Sequence, residues 1–198
     1  MRPWTWIVPL ALVAVVGGWA VLADAPAGQQ GPTCAPMTDR MPLEDRSSPY
    51  DSVTVAVGQG TAKICYGRPS LRGRTMIGDD AAPFGEMWRT GANEPTTLHV
   101  DVAARIAGLA VEPGSYSLYT IPRVDGTWTL IVNASTSQWG HEGSYTEAVQ
   151  AQEVGRAQVD AETLAQPVEQ LTLRPAADGP GVILEWQDFR VHIPIAPE

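Results

Sequence analysis

Lysine occurs once in this chain of 198 residues, at Lys63, and the formal net charge is -9. That balance argues against sequence-nonspecific nucleic-acid binding and against affinity for anionic membrane surfaces, since both need many cations. Only three histidines occur, His99, His141 and His192, and none lies at the short spacing of a zinc site. No G-x-S-x-G elbow is present, because Gly114-Ser-Tyr-Ser-Leu118 lacks the closing glycine. Neither a P-loop nor a dinucleotide fingerprint bridges a strand to a helix. No cofactor, no metal and no nucleic-acid partner is therefore expected, and no residue is marked as catalytic.

Two cysteines, Cys34 and Cys65, can form an intrachain bridge if the domain is exported, remain free thiols, or pair between chains. Cys34 lies too far past the first apolar run to be a good lipid-attachment site. Trp4 to Leu22 is apolar apart from Thr5, with Arg2 ahead of it. Such a run enters a bilayer because nothing in it requires water. Residues 1–23 read as a signal peptide cleaved after Ala23 or as an uncleaved transmembrane helix. Either fate exports the rest, to the periplasm or the cell exterior. Residues 24–48 are rich in Ala, Pro, Gly and Gln without apolar periodicity, as in a flexible tether. Residues 49–198 form the domain.

Within the domain, period two dominates. Val53, Val55 and Val57 alternate with Ser52, Thr54 and Ala56, then Ala62, Ile64 and Tyr66 with Thr61, Lys63 and Cys65. With Gln59-Gly60 between them, these runs predict a hairpin. Further strands are expected at 96–102, 105–111, 115–121, 127–133, 155–159, 168–173, 182–186 and 189–195, and one short helix within 145–152. Many short strands with polar turns point to an all-β antiparallel sandwich or barrel-like domain, preceded by the N-terminal apolar helix. Trp128 and Trp186 share faces with aliphatic neighbours and are expected in the core.

The distribution of arginine singles out one region. No acidic residue lies between Asp51 and Asp79, and Lys63, Arg68, Arg72 and Arg74 fall in that gap, with Arg89 soon after. Arginine forks pair planar oxyanions, so this loop is either an anion pocket or a set of salt bridges to Asp79, Asp80, Glu86 and Glu94. Trp88, beside Arg89, Asn93 and Glu94, can stack a sugar ring or cation. Alternatively it plugs the core, with Arg89 paired to Glu86 or Glu94. Tyr116 and Trp139 are further candidates. His99 and Asp101 share a strand face, so they form either an orienting dyad or an exposed polar face. His192 is expected to face solvent, and His141 sits in a loop with a small chance of a role.

Tyr66-Gly-Arg-Pro-Ser-Leu-Arg-Gly-Arg74, Trp88-Arg-Thr-Gly-Ala-Asn-Glu94, Pro113-Gly-Ser-Tyr-Ser-Leu-Tyr-Thr-Ile-Pro122 and Asn133…Gln138-Trp-Gly140 carry a resemblance. With these stretches the chain resembles a bacterial family catalogued as domain of unknown function 2911. The resemblance implies an exported or lipid-anchored protein with a mostly β domain, and it transfers no catalytic residue. Cys65 and Pro95 depart from the family's usual pattern. Three readings follow. The first is a module binding an anionic or carbohydrate-like small ligand through Arg68, Arg72, Arg74, Trp88, Arg89, Asn93 and Glu94, with Tyr116 and Trp139. The second is an envelope hydrolase using Glu94 as general acid or base beside Arg89, with Glu86 the nearest candidate partner carboxylate. The third is a structural envelope module whose arginines are paired internally.

Overall fold

The computed structural model describes Met1 and residues 32–79, 81–140 and 142–198. The apolar stretch 4–22, expected as a helix, and residues 24–31 of the tether lie outside the described residues, as do Asp80 and His141. Among the described residues no helix is long and apolar enough to cross a membrane.

The domain is mainly β: one antiparallel sheet of nine strands with very little helix. The strands are β1 (Tyr50–Val57), β2 (Gly60–Gly67), β3 (Thr96–Val100), β4 (Ala104–Ile106), β5 (Leu109–Val111), β6 (Gly114–Ile121), β7 (Thr127–Asn133), β8 (Glu153–Pro175) and β9 (Gly181–Pro197). They lie in the order β1-β2-β3-β6-β7-β8-β9-β4-β5. The sheet curls enough that β1 also packs against β8 and β9.

The period-two pattern does what it predicts in β1, where Val53, Val55 and Val57 are buried and Ser52, Thr54 and Ala56 exposed. The β1–β2 turn is Gly58-Gln59, one residue earlier than expected, with Gly58 at φ 59. Glycine takes that left-handed conformation without a Cβ clash. The run 105–111 is two strands. Ala107 (φ 48) and Gly108 (φ 87) turn the chain back on itself, so Ile106 pairs with Leu109. Conversely, 155–159 and 168–173 belong to one strand, β8, and 182–186 and 189–195 to another, β9. Register shifts at Thr163/Val168 and Val168/Thr172 absorb the interruption around Pro167. A bulge lets pairing resume on its far side, so a polar break need not end a strand. The short helix α1 (Glu147–Gln150) falls within the expected stretch, and the Thr146 hydroxyl caps it by accepting from Val149 N.

The core joins Trp128, Trp186, Tyr66, Leu98, Leu118 and Leu130 with the inward aliphatics of β1, β2 and β9. Both tryptophans expected inside are there, at 0% and 1% exposure. Tyr66 places its ring in the core and its hydroxyl accepts from Leu173 N at 2.9 Å, which ties β2 to β8.

Residues 32–48 run over the outer face of β2 as a strap. Cys34 is disulfide-bonded to Cys65, whose side chain points away from the core yet is fully buried. The bridge closes a loop of sequence separation 31, a length for which a disulfide contributes about 2–4 kcal/mol by restricting the unfolded chain. The Cys34→Ser/Cys65→Ser double variant should lose stability of that order in urea unfolding. Adding reductant should then change the wild type and leave the variant unaffected.

Candidate functional site

The segment Trp88–Thr96 ends the long connection from β2 into β3 and is held at both ends by backbone pairing. Trp88 N donates to Thr120 O at 2.7 Å and Thr120 N returns to Trp88 O at 2.9 Å. Thr96 N donates to Arg89 O, and the Thr96 hydroxyl to Thr90 O at 2.8 Å, which closes the loop on itself. Between these ties Thr90 stands at φ 59 and Asn93 at φ 68. A β-branched residue in the left-handed region is strained, and Thr90 is held there by its own hydroxyl donating to Thr120 Oγ1.

Two glycines make room for this loop. A Cβ at Gly67 would collide with Ala92 O, and one at Gly140 with Asn93 O and the Arg89 side chain. The four stretches that carry the family resemblance therefore meet here: Gly67 and Gly140 flank the Trp88–Glu94 loop, and Thr120 pairs with its first residue.

The side chains divide sharply. Trp88 is 2% exposed and stacks on Trp186 with ring centroids 5.4 Å apart and planes 19° apart. It fills the core, as the plug alternative held. Arg89 pairs with neither Glu86 nor Glu94. Its Nη1 donates to Gly140 O at 2.9 Å and to both oxygens of Glu142 at 3.2 Å. Glu94 is committed elsewhere: its Oε1 accepts from Arg46 Nη1 at 2.9 Å and from Met37 N at 3.2 Å. The two side chains of that ion pair are 0% and 3% exposed. Asn93 donates to Ser48 O.

The arginine loop also chooses unexpected partners. Arg68 pairs with Asp51 at 3.0 Å and donates to Leu171 O and Thr172 Oγ1. Arg72 donates to Ser47 O, and Arg74 to Leu71 O and Ser70 O. Neither Arg72 nor Arg74 forms an ion pair among the described residues. Tyr116 donates to Glu112 O, away from this region, and Trp139 is half-buried next to Gly140.

His99 and Asp101 form no dyad: the imidazole Nδ1 meets Ser115 Oγ, while Asp101 accepts from Thr61 N and Oγ1. Burial, then the charge of Lys63, pulls the His99 pKa down. Among the described residues no three metal-ligating side chains gather.

Arg74, Trp88 and Arg89, three of the expected site residues, line one cleft of about 310 Å³. Trp186, Met76 and Glu142 join them there. Two of the lining residues each carry a buried nitrogen with no hydrogen-bond partner among the described residues, Arg89 Nε and Trp186 Nε1. Arg68, Arg72, Asn93, Glu94, Tyr116 and Trp139 do not line it. A second cleft of about 280 Å³, on the outer side of the β8–β9 hairpin, contains His192, Arg174, Arg190 and three carboxylates.

Several determinants carried no sequence signal. Gln187, at φ 50, accepts from Met76 N and Ile77 N and donates to Ile77 O, so its side chain acts as a short strand holding the cleft wall. Arg46 reaches Met37 O and Met41 O with the guanidinium edges that Glu94 leaves free, so the strap winds around one charge. The Gln187 contacts and the Arg46–Glu94 pair span far more sequence than any local pattern covers.

Glu94→Ala leaves Arg46 charged, buried and unpaired, and should destabilise the domain by about 3–5 kcal/mol in urea unfolding. Tyr50, beside this pair, has its pKa pushed up to about 12 by burial and by the Glu94 charge. Its folded value lies above the unfolded 10.0, so this contribution is intact below pH 10 and lost as pH rises towards about 12. Tyr50→Phe should flatten the fall in stability across that window, as followed by unfolding at stepped pH.

No curated protein and no solved structure matches the chain. A family model described as "Protein of unknown function (DUF2911)" matches residues 48–195, which takes in β1 to β8 and all but the last two residues of β9, and leaves out the strap up to Ser47. The chain belongs to that family.

Proposed function

We propose that the protein is an exported β module that binds a small ligand, anionic or carbohydrate-like, in the cleft walled by Trp88, Arg89, Arg74 and Trp186. One observation carries this reading: two residues that line the cleft, Arg89 and Trp186, each hold a buried donor, Nε–H and Nε1–H, without an acceptor. Buried polar groups are nearly always paired, so two exceptions in one cleft point to a partner outside the chain. The strained Thr90 and Gln187 flank the two stacked tryptophans, and strain of that kind gathers at binding sites.

Export is supported by the Cys34–Cys65 disulfide, which persists in oxidising compartments. The apolar run 4–22 supports it too, as signal peptide or anchor. Packing of β1 on β8 and β9 supports a barrel-like closure of the sheet. The hydrolase reading has less behind it. A general acid or base must reach its substrate, and Glu94 is enclosed with Arg46 under the strap. The structural reading draws on the Arg68–Asp51 and Arg89–Glu142 pairs, and it leaves the orphaned donors unexplained.

A thermal-shift panel of small carboxylates, phosphate, sulfate and sugars tests the proposal. At least one should raise the unfolding midpoint, since ligand at a hundred times Kd adds about 2.7 kcal/mol. Arg89→Ala should abolish that rise and remain folded. A panel with no effect on the wild type rejects the binding reading, and loss of the fold in Arg89→Ala assigns the Glu142 pair a structural role.

A further inference from the structure

The cleft between Trp88 and Trp186 has an uneven supply of hydrogen-bonding groups. Arg89 spends Nη1 on Gly140 O and Glu142 and leaves Nε–H without an acceptor. Trp186, 1% exposed, has an indole N–H in the same condition. Indole and guanidinium are donors only. Arg74, also on the lining, adds a positive charge that no ion pair among the described residues offsets. Among side chains the acceptors on the lining are the Ser48 hydroxyl and the Glu142 carboxylate, and both oxygens of Glu142 already accept from Arg89.

We infer that the cleft takes a small oxyanion, a carboxylate or phosphate group on a compact body, with its oxygens on Arg89 Nε and Trp186 Nε1 and its charge balanced by Arg74. The inference rests on reading this cleft as the ligand site, and it narrows the ligand class. A neutral sugar fits less well, because each hydroxyl brings a donor as well as acceptors, and few side-chain acceptors here remain open to it. The Nε edge of a guanidinium is suited to a planar oxyanion, which it can meet with parallel N–H bonds. A volume of about 310 Å³ lies at the small end of ligand sites, and Met76 and the tryptophan faces offer apolar contact to a body of that size. Both orphaned nitrogens are shielded from solvent, so the wall shifts to admit the oxygens. Arg74, an exposed residue of the lining, is placed to do so.

The indole proton of Trp186 is its own reporter. In ¹H–¹⁵N spectra of the full chain, with that resonance assigned through Trp186→Phe, benzoate or inorganic phosphate at constant ionic strength should move it downfield and saturate. Comparing the two anions identifies which group the cleft takes. Arg89→Lys keeps the charge and loses the planar edge, and should weaken the midpoint by about tenfold. Arg74→Gln, on an exposed side chain, should also weaken it and guards against a disturbed loop in the first variant. An unchanged midpoint in both variants overturns the inference. If methyl glucoside moves the indole and neither anion does, the cleft is a ligand site of another class and the oxyanion inference alone falls. If none of the three moves it, the inference and the binding reading fall together.

Discussion

The Arg46–Glu94 ion pair is the contact on which the upper half of this domain depends. Both charges are almost wholly removed from water, so each relies on polar partners nearby, although Glu94 Oε2 is left without one among the described residues. Arg46 finds them in the carbonyls of Met37 and Met41, which wraps the strap around the guanidinium. Glu94 accepts from Met37 N as well, so the strap is anchored to the loop that leads into β3. The disulfide then secures the strap's start to β2. Covalent and ionic ties therefore act on the same short segment from two directions.

That arrangement has a consequence for the cleft. Ser47 O and Ser48 O, at the end of the strap, accept from Arg72 and Asn93, and Ser48 lines the cleft. The loop carrying Trp88 and Arg89 is wedged between Gly67 and Gly140, where any side chain would collide with its backbone. Arg89 is thus positioned by its own backbone, by the missing Cβ of Gly140 and by Glu142. Trp186 is set by the core on one side and by Gln187 on the other, whose side chain holds Met76 and Ile77 in place. The cleft is built from parts far apart in sequence, each fixed by a different interaction.

The polar economy of the domain separates its arginines into two kinds. Arg174 and Arg190 share Glu185, and Arg156 pairs with Glu153. In both cases the hydrogen-bonded guanidinium holds the carboxyl below its usual range. These pairs sit on the outer face of the sheet, where partial exposure screens them. Arg74 and Arg89 differ, because the first lacks a carboxylate among the described residues and the second leaves Nε unpaired beside the tryptophans.

Much of the fold was legible because strand burial obeys a local rule. Alternation placed Val53, Val55, Val57, Trp128 and Trp186 inside, and the absence of helical periodicity left a mainly β domain. Glycine and charge patterns also singled out loops from which Arg74, Trp88 and Arg89 line one cleft. What the sequence could not settle was pairing across distance. Acids close in sequence, Asp79 and Glu86, were the natural partners for the arginines, yet Asp51, Glu142 and Glu94 do the pairing, with Arg46 supplied by the supposed tether. The two long strands were likewise hidden, because a bulge interrupts local alternation without ending the ladder. Side-chain periodicity is set within a few residues, and composition reports it. The choice of ionic partner, the union of two strand segments and the gathering of donors around a cleft are set by where the curled sheet brings remote residues together. Only the folded chain decides those.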